Sequence, residues 1–206
     1  MKFFNFEQKM ANYPVFSARE VRTIFHKEEN ILEQIAFWIK RGYLTKVKRG
    51  LYVLTNGRNE IDPMVLAAKI YRPSYLSMEF ALNYYGIIPD IPGTYTSVTS
   101  RKTIFYSNDF GEYSYQKVKK DFFAGYVRKE INGVTFNLAT PEKAILDFIY
   151  LNKNKIVATD DYWREFRIDE EFVFNKREIK QYLKLINNNK VNKLVDSLLL
   201  YQKNAR

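Results

Sequence analysis

A chain of 206 residues with 46% hydrophobic and 27% charged side chains has room for one or two packed domains and too much apolar content for disorder. It holds no cysteine and one histidine, which excludes disulfides, thiolate metal centres and multi-histidine sites. Its net charge of +10 is uneven: the first 58 residues carry 11 Lys/Arg against 5 Asp/Glu, and the rest carry 22 against 18. A cationic N-terminal end implies a polyanionic partner there, nucleic acid or an anionic membrane.

The opening MKFFNFEQKM has no extended apolar core or small-residue cleavage site, so it does not read as a signal peptide. No run approaches the roughly 20 apolar residues that span a bilayer. With the absence of cysteine, the expectation is a cytoplasmic protein with no membrane partner.

In chain order, Phe3, Phe4, Phe6, Met10 and Tyr13 suit a short first helix closed by Pro14. Ser17-Ala-Arg-Glu20 spells a capping box opening a second helix that buries Val21, Ile24 and Phe25. A turn at His26 and Lys27 leads to a third helix over about 29–41, ended by Gly42. Ile31, Ile35 and Trp38 cluster on one side of it. Asn30, Glu33, Gln34, Phe37, Lys40 and Arg41 lie on the other. Strands over 43–47 and 51–54 flank a turn at Lys48-Arg49-Gly50. Three short helices followed by a basic β-hairpin is the order of a winged helix-turn-helix.

Residues 56–59 read as a hinge, which divides the chain into a DNA-binding domain over 1–58 and a second domain over 59–206. Asp62-Pro63 starts a helix stopped by Pro73, and Ser77 caps a short helix ended by Gly86. The pattern then turns to period two, with antiparallel strands expected at 94–99, 103–106, 113–118, 122–128 and 134–138. Asn132-Gly133 signals a tight hairpin. Thr140-Pro141-Glu142 opens another helix, and the chain ends helical, with caps at Asn175 to Glu178. The expected class is α+β: an N-terminal winged helix-turn-helix, then an α/β domain with a helical C-terminal part.

The most informative stretch runs from Lys40 to Gly50, with Lys40, Arg41, Lys46, Lys48 and Arg49 and no acid. A major groove about 12 Å wide admits one helix, and flanking phosphates attract cations at its edges. Asn30 and Gln34, one turn apart, suit adenine edges. Arg41 suits guanine or phosphate, and Phe37 either a thymine methyl or packing against the hairpin or second domain. Lys46, Lys48 and Arg49 suit phosphates on the hairpin. The implied partner is double-stranded DNA.

Enzyme signatures fail. There is no G-x-x-x-x-G-K-[ST] and no G-x-G-x-x-G, and a Ser-His-Asp arrangement would have to use His26. No catalytic residue, metal or cofactor is expected. The alternatives are a metal-dependent nucleic-acid-processing enzyme using acids such as Asp121, Asp147 or Asp161, and a winged-helix adaptor for a protein partner.

Three motifs carry a family resemblance. Gly42, Leu44, Arg49, Gly50 and Tyr52 form the first, and Ser77, Ala81, Leu82 and Gly86 the second, with Tyr85 where histidine is common. Thr140, Glu142, Lys143, Ala144 and Asp147 form the third. In this order and spacing, over about 13–151, the chain resembles the AbiEi antitoxins of abortive-infection (type IV) toxin–antitoxin operons. The resemblance implies autorepression through inverted repeats in the operator, and an antitoxin role in phage defence. It also implies a nucleotidyltransferase-like toxin as functional partner, opposed without a stable complex. The final 55 residues match no motif.

Overall fold

The computed structural model describes residues 1–57 and 60–205. The hinge expectation at 56–59 and the boundary at 58/59 fall partly on residues outside those described. The fold is mixed α+β. It begins with α1 (Phe3–Met10), β1 (Phe16–Ser17), α2 (Ala18–Ile24), α3 (Ile31–Lys40), β2 (Leu44–Lys48) and β3 (Leu51–Leu54). The capping box at Ser17 is present: its hydroxyl accepts from the Glu20 amide at 3.1 Å, and the Glu20 carboxylate accepts from the Ser17 amide at 2.6 Å. α3 is shorter at both ends than its sequence pattern suggests.

The three strands form an antiparallel sheet in the order β1-β3-β2, with Phe16 opposite Tyr52 and Leu44 opposite Leu54. An aromatic core under this sheet joins Phe6, Met10, Phe16, Val21, Phe25, Ile31, Ile35, Trp38 and Leu44. The other face of the hairpin is buried too. Val47, Leu51 and Val53, with Val15 beside them, belong to the larger second core. Strand alternation explains this: Tyr52 and Leu54 point to the helices, Leu51 and Val53 away from them. The hairpin is shared by two cores.

The second part begins with α4 (Pro63–Ile70), capped by Asp62, whose carboxylate accepts from the Met64 amide at 2.7 Å. Then come β4 (Ser74–Leu76), α5 (Met78–Tyr84), β5 (Thr94–Thr99), β6 (Ile104–Asn108) and β7 (Gly111–Lys117). A 3-10 turn (Lys120–Phe122), β8 (Tyr126–Ile131), β9 (Val134–Ala139) and α6 (Pro141–Asn152) follow. The chain ends in α7 (Asp160–Glu165), α8 (Lys176–Ile186) and α9 (Asn189–Ala205).

Six strands form one sheet in the order β6-β7-β5-β4-β9-β8. The expected antiparallel arrangement is corrected: β5 pairs β7 in parallel, and β4 pairs β9 in parallel. β5 and β7 are parallel because β7 inserts between β5 and β6 instead of continuing outward from β6, and β9 returns across the sheet to lie beside β4. The strand expected over 122–128 gives way to the 3-10 turn and a later start at Tyr126, with Gly125 turning the chain at φ +78°. β4 has no clear sequence signal, being three residues between Pro73 and Ser77; Ser77 precedes α5 as expected, but its side chain does not cap that helix and binds Asp147 instead. The Asn132-Gly133 turn has both φ angles positive, +50° and +75°, and joins Ile131 to Val134 as the sequence indicates.

α6 is the axis of the second core, buried from Glu142 to Ile149. α8 and α9 pack against it, and α7 packs on α9, where the Trp163 indole N–H donates to the Ser197 hydroxyl at 3.0 Å. No helix among the described residues is long and apolar enough to cross a membrane.

Candidate nucleic-acid interface

α3 is clamped by rings. Trp38 lies 4.6 Å from Phe6 and 5.4 Å from Phe3 between centroids, which fixes the rotation of the helix and so its outward face. That face carries Glu33, Phe37, Lys40 and Arg41 in solvent. Phe37, 53% exposed, belongs to neither core, and the Arg41 guanidinium lies 5.3 Å over its ring. The sequence leaves open whether Phe37 packs on the hairpin or second domain; it stands in solvent.

The two candidate amides differ. Asn30 is exposed at the position before the helix, and its side chain caps nothing. Gln34 is half-buried, with its Oε1 turned inward and no hydrogen-bond partner among the described residues. Charge is polarised along the element: Glu28, Glu29 and Glu33 surround its start, Lys40 and Arg41 its end. This suits the helix dipole. It also means that a phosphate backbone meets attraction at the C-terminal end, where the chain turns into β2.

On the hairpin, Lys46 faces solvent opposite Tyr52, and Arg49 is exposed at the tip. Gly50 takes φ +79°, a left-handed turn that a side chain would strain. Lys48 departs from expectation. A bulge between Lys46 and Lys48 turns it to the second unit, where it is half-buried with its ammonium 5.4 Å over the Tyr106 ring of β6. Burial, then the charge of Arg101, holds its ammonium below the ordinary lysine range. Beside it, the Asn108 side-chain amide donates to the Val47 carbonyl at 3.2 Å. The tip is therefore braced on β6. Sequence reasoning alone misses Arg101: Arg101-Lys102 is a basic pair, but nothing local places it beside the hairpin.

A second cluster of polar groups lies in the core. Lys143 and Asp147 of α6 form an ion pair, both 0% exposed. The Lys143 ammonium also donates to the Tyr75 hydroxyl at 2.7 Å and lies 3.6 Å over the Phe122 ring. The Tyr75 and Ser77 hydroxyls donate to Asp147 Oδ2 at 3.0 and 2.7 Å. Burial pushes the Asp147 carboxyl up and the Lys143 ammonium down, each against the pull of its partner. This sealed network joins the second and third sequence motifs, and it commits Asp147 to three donors.

The other acids named as possible metal ligands lie elsewhere. Asp161 is exposed in α7 and accepts from Arg164 at 2.6 Å, and Asp121 sits in the 3-10 turn. Among the described residues, no group of three or more His, Asp or Glu is placed to hold a metal ion. The chain matches no protein-family model and no curated relative.

Proposed function

We propose that the chain is a DNA-binding repressor of its own operon and the antitoxin of a type IV toxin–antitoxin pair. In this reading the N-terminal part is a winged helix, with α2 and α3 as its helix-turn-helix and β2–β3 as its wing. The observation that carries it is the order α1-β1-α2-α3-β2-β3, with the sheet order β1-β3-β2 setting a basic, acid-free stretch at the end of α3 and along the hairpin. Lys40, Arg41, Lys46 and Arg49 hold phosphates there. Asn30, Arg41 and Phe37 face base edges, with Gln34 contributing less because its oxygen is turned inward. The antitoxin half rests on the AbiEi resemblance, whose residues Ser77, Lys143 and Asp147 meet in one buried network.

The test has two readouts. The full chain should shift a duplex taken from upstream of its own gene at lower concentration than a random duplex. Co-expression should restore growth to cells expressing a neighbouring nucleotidyltransferase-like protein. No shift of either duplex removes the DNA reading, and no rescue removes the antitoxin reading.

A further inference from the structure

β4 is shorter than the strand beside it. Leu76 pairs Leu138 in parallel, which sets Ser74 level with Phe136 and leaves Thr135 of β9 with no strand on that side. A pocket of about 270 Å³ opens at this gap, walled by the end of α4 and by the β8–β9 hairpin. Small-molecule sites run from roughly 300 to 1,000 Å³, so this one suits a single compact ligand.

The pocket has an aromatic floor. Phe123 and Tyr126 line it, 5.7 Å apart between centroids, and both rest on Tyr75 at 5.1 and 4.9 Å. Tyr75 is fixed in turn, because its hydroxyl lies between Lys143 and Asp147 of the buried network. Tyr126 nevertheless keeps 38% of its surface open. A supported ring with open surface is a platform on which a flat heteroaromatic ring stacks.

Two exposed arginines flank this floor, Arg72 after α4 and Arg128 on β8, and no carboxylate lines the pocket. Arg72 donates its Nε to the Ala68 carbonyl at 2.9 Å, which leaves its terminal nitrogens for a ligand. Glu20, whose carboxyl feels Arg72, bridges to Lys69 at 3.7 Å. Among the described residues Arg128 makes no ion pair, although Glu130 shares its face of β8. Guanidinium forks match the oxygens of a phosphate. Asn137, opposite Arg128 in the ladder, offers both a donor and an acceptor. The Ser74 hydroxyl donates to the Tyr71 carbonyl at 2.5 Å and keeps its lone pairs to accept.

We propose that this pocket binds a single nucleotide. The base stacks on Tyr126 and meets the Asn137 amide, Arg72 and Arg128 hold the phosphate, and Ser74 accepts from a ribose hydroxyl. The site stands apart from the candidate interface with DNA. The sheet order puts β8 five strand spacings from β6, where the hairpin tip rests, roughly 24 Å at about 4.8 Å each. The proposal holds whether or not helix and hairpin read an operator.

The experiment is a calorimetric titration of the full chain with the four ribonucleoside 5′-monophosphates, their nucleosides and ribose 5-phosphate. At least one nucleotide should bind. Its nucleoside and ribose 5-phosphate should each bind more weakly by about tenfold or more, because stacking and the charged hydrogen bonds each supply a factor of that order. Arg128→Gln should weaken the nucleotide by roughly the same factor, and so should Tyr126→Leu, whereas Tyr126→Phe should keep it. Arg49→Gln on the hairpin should change nothing. Ribose 5-phosphate that binds as tightly as the nucleotide takes the base out of the pocket and overturns the proposal. Binding that survives Arg128→Gln but falls with Arg49→Gln assigns the nucleotide to the hairpin and overturns it equally, and so does silence from all four nucleotides. Should Tyr126→Leu fail to fold, Arg128→Gln decides alone, since that side chain is exposed and belongs to neither core.

Discussion

The Ser77 hydroxyl donates to Asp147 Oδ2 at 2.7 Å, across 70 residues of sequence. It ties the end of β4 to the middle of α6. The same junction is fixed from the other side, where the Thr96 hydroxyl donates to the Ser77 carbonyl at 2.6 Å. Met78, next in the chain, is held at φ +56°, a left-handed conformation that such surroundings must impose on a side-chain-bearing residue.

Removing one member of the Lys143–Asp147 pair leaves the other buried and uncompensated. Asp147→Leu or Lys143→Met should each cost about 3 to 5 kcal/mol, and the double substitution should recover most of the loss. Chemical denaturation of the three variants measures this. A double variant as unstable as the sum of the singles would show that the cluster is not a mutually compensated pair.

Gly125 is a second sensitive point. A Cβ there would lie on a backbone at φ +78°, 2.9 Å from Lys143 Cγ and closer still to the Tyr182 hydroxyl. Gly125→Ala adds a left-handed cost of about 1 to 2 kcal/mol to overpacking of about 1 to 3 kcal/mol. A thermal midpoint equal to wild type would contradict this close approach.

Alkaline pH should unfold the protein through its tyrosines. Burial, with the Glu178 carboxylate, pushes Tyr182 up to about 12. Burial, with a hydrogen bond to Glu170, does the same to Tyr201. A phenol raised in the folded state keeps its proton there, so its stabilisation is complete below the unfolded value of 10.0 and vanishes as pH climbs through about 12. Phenolate absorbance and circular dichroism followed together should show these tyrosines ionising with loss of structure. Ionisation of every tyrosine near pH 10 with the fold intact would refute it.

A fragment ending at Gly57 would expose Val15, Val47, Leu51 and Val53, which the second core covers. At about 1.5 to 3 kcal/mol each, their burial rivals the ~5 to 15 kcal/mol by which a typical domain is stable. Residues 1–57 alone should therefore show no cooperative melt by circular dichroism. A sharp transition would mean that the helical core suffices.

On operator DNA, Asn30→Ala and Arg41→Ala should each cost about 1 to 3 kcal/mol, and Gln34→Ala less, because the Gln34 oxygen is turned inward. Asn30→Ala should leave random-duplex affinity nearly unchanged. Equal losses on both duplexes would make α3 a positioning element.

Much of this molecule is legible along the chain. The caps at Ser17, Asp62, Thr140 and Asn175, the Asn132-Gly133 turn and the sequence of helices before the hairpin all stand where the residues put them. Each depends on hydrogen bonds or periodicity within a few residues, so a local reading captures it. One nonlocal fact has a local trace: Leu51-Tyr-Val-Leu54 is continuously apolar, as a strand covered on both faces must be. The insertion of β7 between β5 and β6, the placing of β4, and the meeting of Lys48 with Arg101 leave no such trace. Which strands adjoin and which charges face each other is decided by long-range packing, where distant apolar faces are buried together. Only the tertiary structure, therefore, turns a basic hairpin and a distant basic loop into one surface.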